Sequence, residues 1–222
     1  MSLRGVLNFI PRANYGLLCT ISPCRGAPAA VLRHSSGSTE RISRYPVPNR
    51  KNLPFDIVEL MEEVEQKGGF LPNVFKVLSH RPAEFRAFFS YYNALMNKGS
   101  GGLSKSEREL IVVATSAHNH CLYCVVAVNP QAADLSPREK AMLDFALKVC
   151  RCETITDEHF SSLEAHGFDR EDVWDIAAIA AFFALSNRMA HLTDMRPNAE
   201  FYTMGRVPRD KEKASEGRVQ KE

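Results

Sequence analysis

The chain has 222 residues, of which 45% are hydrophobic and 24% are charged, with a formal net charge of +2. This length suits one domain with its own core, and the near-balanced charge gives no reason to expect nucleic acid as a partner. No stretch approaches the roughly 18 consecutive apolar residues of a membrane span, so no membrane partner is expected either.

The first 39 residues differ in composition from the rest of the chain. They contain four arginines and five serines but no aspartate or glutamate. This composition is typical of a mitochondrial transit peptide, so we predict a transit peptide at 1–39 and a mitochondrial protein, with a cytoplasmic one as the alternative. A leader without targeting function and a secretory signal are further alternatives. The apolar run that a secretory signal needs is interrupted by Pro11, Arg12 and Asn14.

A Pro-rich linker at 40–52 is followed by helical patterns with no convincing strand, and we predict one helical domain at 53–206. The first pattern begins at Phe55 and stops at Gly68. Further helices are expected to open at Pro72 and Pro82, because proline is favoured in the first helical turn.

Two capping-box signals mark later helices. Ser104 and Glu107 predict a helix from about Lys105 to His118. A short helical segment is expected at 121–128, before the break at Asn129-Pro130.

The second capping box, Ser136 and Glu139, predicts a helix that runs to about Cys150. A long helix is expected at 170–190, and its middle is apolar nearly all round, as in a core helix. The charged segment 207–222 has no apolar rhythm and is predicted to be a disordered polar tail.

The sequence Cys121-Leu-Tyr-Cys124 places two thiols three residues apart at a predicted helix start. The amide groups of a helix N-terminus stabilise a thiolate, so this spacing favours a redox dithiol; two cysteines that only fill the core are the alternative. Zinc binding by these thiols with His118 and His120 is not predicted, because ligands this close in sequence rarely reach one tetrahedron.

The surrounding residues suggest a family. Glu109 stands twelve residues before Cys121 within Ser-Glu-Arg-Glu-Leu-Ile, and the dithiol follows His118-Asn-His120. This pattern resembles the alkylhydroperoxidase D-like and carboxymuconolactone decarboxylase family, in its peroxidase-related branch, and the likeness extends to Asp194-Met-Arg-Pro-Asn. It implies an all-α, alkylhydroperoxidase D-like helical bundle that forms a homo-oligomer.

The resemblance also implies a function. The chain would be a peroxidase that reduces organic hydroperoxides, with Cys124 as the attacking thiolate, Cys121 as the resolving thiol and Glu109 as the start of a proton relay. Its partners would be the peroxide substrate and a thiol or dithiol reductant, and no cofactor or metal is expected. Sulfenic acid formation followed by condensation with a neighbouring thiol is the chemistry that such a pair supports.

The chain departs from the family pattern after the dithiol. Val128 stands where the pattern has a histidine, and the segment between it and Leu135 is short, as if the chain were internally shortened. His118 and His120 are possible auxiliary residues, with surface histidines as the alternative. A second hypothesis is therefore a catalytically weakened or inactive helical protein that acts as an interaction subunit.

Overall fold

The computed structural model of the chain describes residues 41–127 and 135–203. The predicted transit peptide, Val128 and the predicted tail lie outside these ranges. The predicted all-α fold is confirmed, because the described residues form helices and no strand. The helices are α1 (Phe55–Gly68), α2 (Asn73–Leu78), α3 (Pro82–Met96), α4 (Lys105–His118), α5 (Leu122–Ala127), α6 (Pro137–Cys150), α7 (Asp157–Ala165), α8 (Arg170–Thr193) and α9 (Ala199–Thr203).

Both predicted capping boxes are present. Ser104 Oγ accepts the Glu107 N–H at 3.1 Å, and the Glu107 carboxylate accepts the Ser104 N–H at 2.7 Å. Ser136 and Glu139 exchange the equivalent bonds at the start of α6. These pairs satisfy amide groups that have no partner within the helix, which is why both helices begin where the local sequence predicts.

Helix α8 ends three residues later than predicted. The sequence pattern placed its end at Ala190, but the helix continues to Thr193 and is closed by Asp194 in the left-handed conformation, at φ 52°. Residues 191–193 contain no helix breaker, so nothing stops the helix before this cap. The extension places His191 on the helix, four residues after Asn187 and therefore on the same face.

Helices α4, α6 and α8 pack against one another, α3 and α7 also contact α8, and α5 packs on α4 and α9. Two groups of buried apolar side chains form the core. One lies mainly between α4, α6 and α8, and includes Ile111, Met142, Ile176 and Ile179. The other joins α1, α2 and α3 to the dithiol, and includes Ile57, Phe75, Phe85, Phe89, Cys121 and Cys124.

The segment predicted as a linker is attached to the domain. The Arg44 N–H donates to the Thr193 carbonyl at 2.6 Å, and the Arg196 N–H donates to the Ile42 carbonyl at 3.2 Å. Ile42 also packs against the core, and Ser43 is buried. These backbone bonds link the segment to the end of α8 and to the residues that follow it.

Among the described helices, α8 alone is long and apolar enough to span a membrane by length and composition. Half of its most apolar window is buried within the protein. The core helix of a water-soluble protein has the same properties, so this feature agrees with the central position of α8.

The loop between α3 and α4 is held against the first turn of α8. The Gly102 N–H donates to Asp172 Oδ1 at 2.7 Å, and Lys98 Nζ lies 3.0 Å from Asp175 Oδ2. The buried Arg108 guanidinium donates to the carbonyls of Leu95 and Lys98. These bonds satisfy buried charged and polar groups that would otherwise destabilise the fold.

We expect Gly102→Ala to destabilise the protein by about 2 kcal/mol, because an added Cβ would overlap the Asp172 carboxylate and displace it from the Gly102 N–H. Urea unfolding measures the change. Gly99→Ala is the matched control, since a Cβ at Gly99 meets no atom within 4 Å. Equal stability of the two variants would show that the loop tolerates displacement of Asp172.

Candidate active site

The turn that ends α4 positions the dithiol at the start of α5. Helix α4 closes with the Asn119 N–H bonded to the Thr115 carbonyl at 3.0 Å, and His120 follows in the left-handed conformation at φ 53°. The Cys121 N–H then donates back to the Ser116 carbonyl at 2.9 Å. This turn is the usual way to end a helix, and it starts α5 directly after Cys121. Cys121 therefore occupies the N-cap position of α5.

The two thiols are buried and touch each other. Cys121 is 2% exposed and Cys124 is 6% exposed, and both are free cysteines. Their sulfurs lie 3.1 Å apart, within the range of an S–H···S hydrogen bond. Closing a disulfide requires the sulfurs to approach to about 2.05 Å, a movement of about 1 Å that side-chain rotation can provide.

The surroundings of the two thiols shift their pKa values in opposite directions. The pKa of Cys121 is lowered to about 6, mainly by the hydrogen bond from the Cys124 thiol, although burial opposes the shift. The Cys124 N–H, the Asn187 side chain and the charge of His191 lower it further. The N-cap position explains the backbone contribution, because the sulfur of Cys121 accepts the N–H three residues later.

The pKa of Cys124 is raised, because its thiol proton is held by the Cys121 sulfur and because burial and the neighbouring negative charge oppose ionisation. These directions favour a thiolate on Cys121 over one on Cys124. The resemblance implies the opposite order, with Cys124 as the attacking thiolate, and that assignment stays a prediction.

A polar network on α8 contacts the dithiol. The fully buried Asn187 donates to Ser116 Oγ at 3.1 Å and accepts from Asn119 Nδ2 at 2.9 Å. Its side chain also acts to lower the pKa of both thiols. His191 Nε2 lies 2.8 Å from the Asn119 carbonyl, and since a carbonyl only accepts, this nitrogen carries the proton.

Sequence reasoning missed Asn187 and His191. The available signal was two polar residues four apart near the end of an apolar helix, which places both on one face. That signal does not identify what the face contacts. The predicted end of the helix at Ala190 also left His191 outside the helix, so the shared face of Asn187 and His191 was not predicted.

No described contact joins Glu109 to the dithiol. Its carboxylate lies 3.9 Å from Lys105 Nζ, and burial raises its pKa. Burial, and secondly the charge of Glu109, raise the pKa of Tyr92 on α3. Within residues 41–127 and 135–203, no hydrogen bond or ion pair joins Glu109 to either sulfur. The relay role of Glu109 stays a prediction.

The two auxiliary histidines lie on the surface at the end of α4. His118 and His120 are exposed, and no hydrogen bond joins either imidazole to another described residue. The described part of the chain also contains no group of three or more His, Cys, Asp or Glu side chains arranged to hold a metal ion. The left-handed backbone of His120 gives this residue a structural role in the turn before Cys121.

His120→Gly is expected to stabilise the protein by up to about 1 kcal/mol, because glycine adopts the left-handed conformation without steric cost, although it is less restricted when unfolded. Thermal unfolding measures this change. The alkylation rate of Cys121 should not change. A loss of that reactivity in a folded variant would instead indicate that the His120 side chain serves the dithiol.

Comparisons with known proteins agree with this site and fold. The carboxymuconolactone decarboxylase family profile matches residues 82–134, which include α3, α4 and the dithiol. No curated protein sequence matches the chain significantly.

Solved structures of several proteins are similar to this chain. A peroxidase-related protein with an alkylhydroperoxidase AhpD core from Ralstonia eutropha JMP134 is 56% identical, with a TM-score of 0.71, and the match covers 76% of this chain and 99% of that one. A peroxidase-related protein from Silicibacter sp. TM1040 is 34% identical, with a TM-score of 0.66, covering 76% of this chain and 97% of that one.

The debrominase Bmp8 is 21% identical, with a TM-score of 0.58, and the match covers 73% of this chain and 95% of that one; it supports the fold alone. The identity to the first two structures, over most of this chain and nearly all of theirs, is far above what a shared fold alone would give. The chain therefore belongs to the alkylhydroperoxidase D-like, carboxymuconolactone decarboxylase family, among its peroxidase-related members.

Proposed function

We propose that the protein is a thiol-dependent peroxidase that reduces organic hydroperoxides through Cys121 and Cys124. The observation that carries this proposal is the pair of free sulfurs 3.1 Å apart at the start of α5, with the thiolate favoured on Cys121. A stabilised thiolate beside a second thiol is the arrangement that forms a sulfenic acid and then resolves it to a disulfide.

The proposed first step is attack of the Cys121 thiolate on a peroxide oxygen. The O–O bond breaks, Cys121 becomes a sulfenic acid and an alkoxide leaves. The Cys124 thiol donates its proton to that alkoxide, which gives the alcohol and a Cys124 thiolate. This proton source lies 3.1 Å from the reacting sulfur, so the proposed step needs neither Glu109 nor a histidine at position 128.

In the second step the Cys124 thiolate attacks the Cys121 sulfur. The S–O bond breaks, hydroxide leaves and takes a proton to become water, and the disulfide forms. A thiol or dithiol reductant then returns two electrons to the disulfide by thiol exchange. Overall, the peroxide is reduced to an alcohol and water at the expense of the external thiol.

Stopped-flow mixing of the reduced protein with cumene hydroperoxide tests the proposal. We expect loss of two thiols per chain within seconds at micromolar peroxide, and a mass that corresponds to a Cys121–Cys124 disulfide. The double variant Cys121→Ser, Cys124→Ser is the control and should consume no peroxide. An unmodified wild-type dithiol under these conditions would refute the peroxidase proposal.

The alternative function is that of an interaction subunit with a weakened or absent activity. The strong burial of both thiols and the absence of a described contact between Glu109 and either thiol favour this alternative.

An apolar groove of about 750 Å³ lies along α3 and α8, with Tyr91, Leu185 and Leu192 exposed around it. From the family resemblance we also propose a homo-oligomer in which this groove is a contact surface. Light scattering measures the molar mass of the assembly, and the Leu185→Glu variant should have a lower molar mass than the wild type because it places a charge in the groove.

A further inference from the structure

The turn between α4 and α5 is held to α8 by three side-chain hydrogen bonds. Asn119 ends α4, and its carbonyl accepts the His191 Nε2–H at 2.8 Å. The Asn119 side chain donates to Asn187 Oδ1 at 2.9 Å. The nitrogen of the same Asn187 amide donates to Ser116 Oγ at 3.1 Å, in the last turn of α4. We call these three bonds the turn brace.

The centre of the turn brace is closed to water. Asn187 and Ser116 are fully buried and Asn119 is half-buried, so a broken bond there leaves a polar group without a solvent partner. The Asn119 amide nitrogen also lies 3.3 Å from Cys150 Sγ on α6. Both of its N–H groups therefore have acceptors, on two different helices, and these acceptors fix the orientation of the Asn119 side chain.

The turn brace is connected to Cys121 through the backbone. The Ser116 carbonyl accepts the Cys121 N–H at 2.9 Å, so a residue of the brace holds the first cysteine directly. The second cysteine has a separate attachment, because Tyr123 on α5 accepts the Val74 N–H from α2 at 2.9 Å. A shift of the turn against α8 would therefore move Cys121 relative to Cys124.

We propose that Asn119 and His191 are positioning residues of the dithiol, which hold the Cys121 sulfur 3.1 Å from the Cys124 sulfur and thereby favour the disulfide. The proposal rests on the proposed function in that the reacting pair is the same. The physical reason is conformational entropy. A disulfide restrains its two cysteines by itself, so loss of the turn brace gives additional freedom mainly to the reduced pair.

The test measures the equilibrium between dithiol and disulfide in the full-length protein. In exchange with oxidised glutathione, the Cys121–Cys124 bond forms, the glutathione disulfide breaks, and two electrons pass from the protein to two glutathione thiols. The protein is equilibrated with graded ratios of oxidised to reduced glutathione or dithiothreitol, at about pH 7.5, where an unperturbed histidine is neutral. Acid stops the exchange, and alkylation with tandem mass spectrometry counts the free thiols.

Asn119→Ala removes the side-chain bonds of the turn. The backbone of Asn119, at φ −83° and ψ 7°, is open to alanine without strain. We expect the equilibrium constant for disulfide formation to fall about tenfold, which raises the reduction potential by about 30 mV. His191→Leu removes only the bond to the Asn119 carbonyl, and the expected fall is about threefold. Because His191 is exposed, its replacement leaves the core intact.

Asn97→Ala is the matched control for Asn119→Ala. Asn97 also ends a helix, α3, and its side chain also donates to an asparagine oxygen, that of Asn93, at 2.9 Å. This variant should leave the equilibrium constant unchanged. His191→Gln is the rescue variant, because glutamine can donate to the Asn119 carbonyl without an imidazole. It should keep the wild-type constant, whereas equal falls in His191→Gln and His191→Leu would overturn the role of this hydrogen bond.

An unchanged or increased constant in folded Asn119→Ala would overturn the proposal, and so would an equal fall in Asn97→Ala. Circular dichroism shows whether each variant is folded. If Asn119→Ala does not fold, His191→Leu decides, and an unchanged constant there overturns the proposal. A wild-type pair that stays reduced at every ratio would also overturn it, because the turn brace would then not favour the disulfide.

Exchange with glutathione does not require peroxide, so the two proposals fail separately. A wild-type protein that is inert to peroxide, but in which Asn119→Ala lowers the constant, would refute the peroxidase proposal and leave the turn brace intact. A wild-type protein that reduces peroxide, with no change of the constant in the folded variants, would refute the positioning role alone.

Discussion

Cys121→Ser is expected to abolish peroxide consumption, whereas Cys124→Ser should consume one equivalent of peroxide and stop. The reason is that the neighbouring Cys124 thiol lowers the pKa of Cys121 to about 6, while the pKa of Cys124 is raised. Only Cys121 is then a thiolate at neutral pH. Without Cys124, the sulfenic acid on Cys121 has no resolving partner and should be trapped by dimedone and located by mass spectrometry.

The same experiment decides between the two orders of attack. A dimedone adduct on Cys124 in the Cys121→Ser variant, with continued first-turnover activity, would restore the order that the family resemblance implies. Cys152→Ser is the control, because Cys152 is exposed and lies outside the pair. It should leave both the rate and the site of the sulfenic acid unchanged.

The stability of the reduced protein should rise by about 2 kcal/mol between pH 6 and pH 8.5. Cys121 is 2% exposed, and its folded pKa of about 6 is below the value of about 8.5 for an unfolded cysteine. Between these values the unfolded chain binds one more proton than the folded one, so raising the pH favours folding. Above about pH 8.5 the sign reverses, because the unfolded chain loses both protons while Cys124 keeps its own.

Urea unfolding of the reduced protein at several pH values measures this profile. The contribution of the dithiol is fully present near pH 8.5 and is lost as the pH falls through about 6. The Cys121→Ser variant should lack the rise, which separates the dithiol from other titrating groups. Parallel profiles for the two proteins would show that the thiolate does not stabilise the fold.

Local sequence predicted the helices well because local interactions define them. The capping boxes at Ser104 and Ser136 fix the starts of α4 and α6, whatever the rest of the chain does. The dithiol was likewise visible, because its two cysteines are three residues apart. The domain family followed from the same segment together with Glu109.

The neighbours of the dithiol were not predictable in this way. Asn187 and Ser116 are 71 positions apart and meet only because α8 packs on α4. The order of acidity of the two thiols depends on this packing and on the turn at His120, so motif spacing alone could not provide it. Glu109 matches the family motif, yet the ion pair that its side chain forms is with Lys105 of its own helix.

Tyr123, the residue between Leu122 and Cys124, anchors the dithiol helix to a distant backbone amide. Its hydroxyl accepts the Val74 N–H at 2.9 Å, at the start of α2, and its ring packs edge-on against Phe201. Exchange of the Val74 amide hydrogen with deuterium therefore requires α5 to move away from α2. Val74 itself lies in α2, outside the helix that carries the dithiol. The exchange rate of this one amide reports how often the dithiol helix detaches, and its value in the reduced and the oxidised protein gives the free energy of that opening in each state.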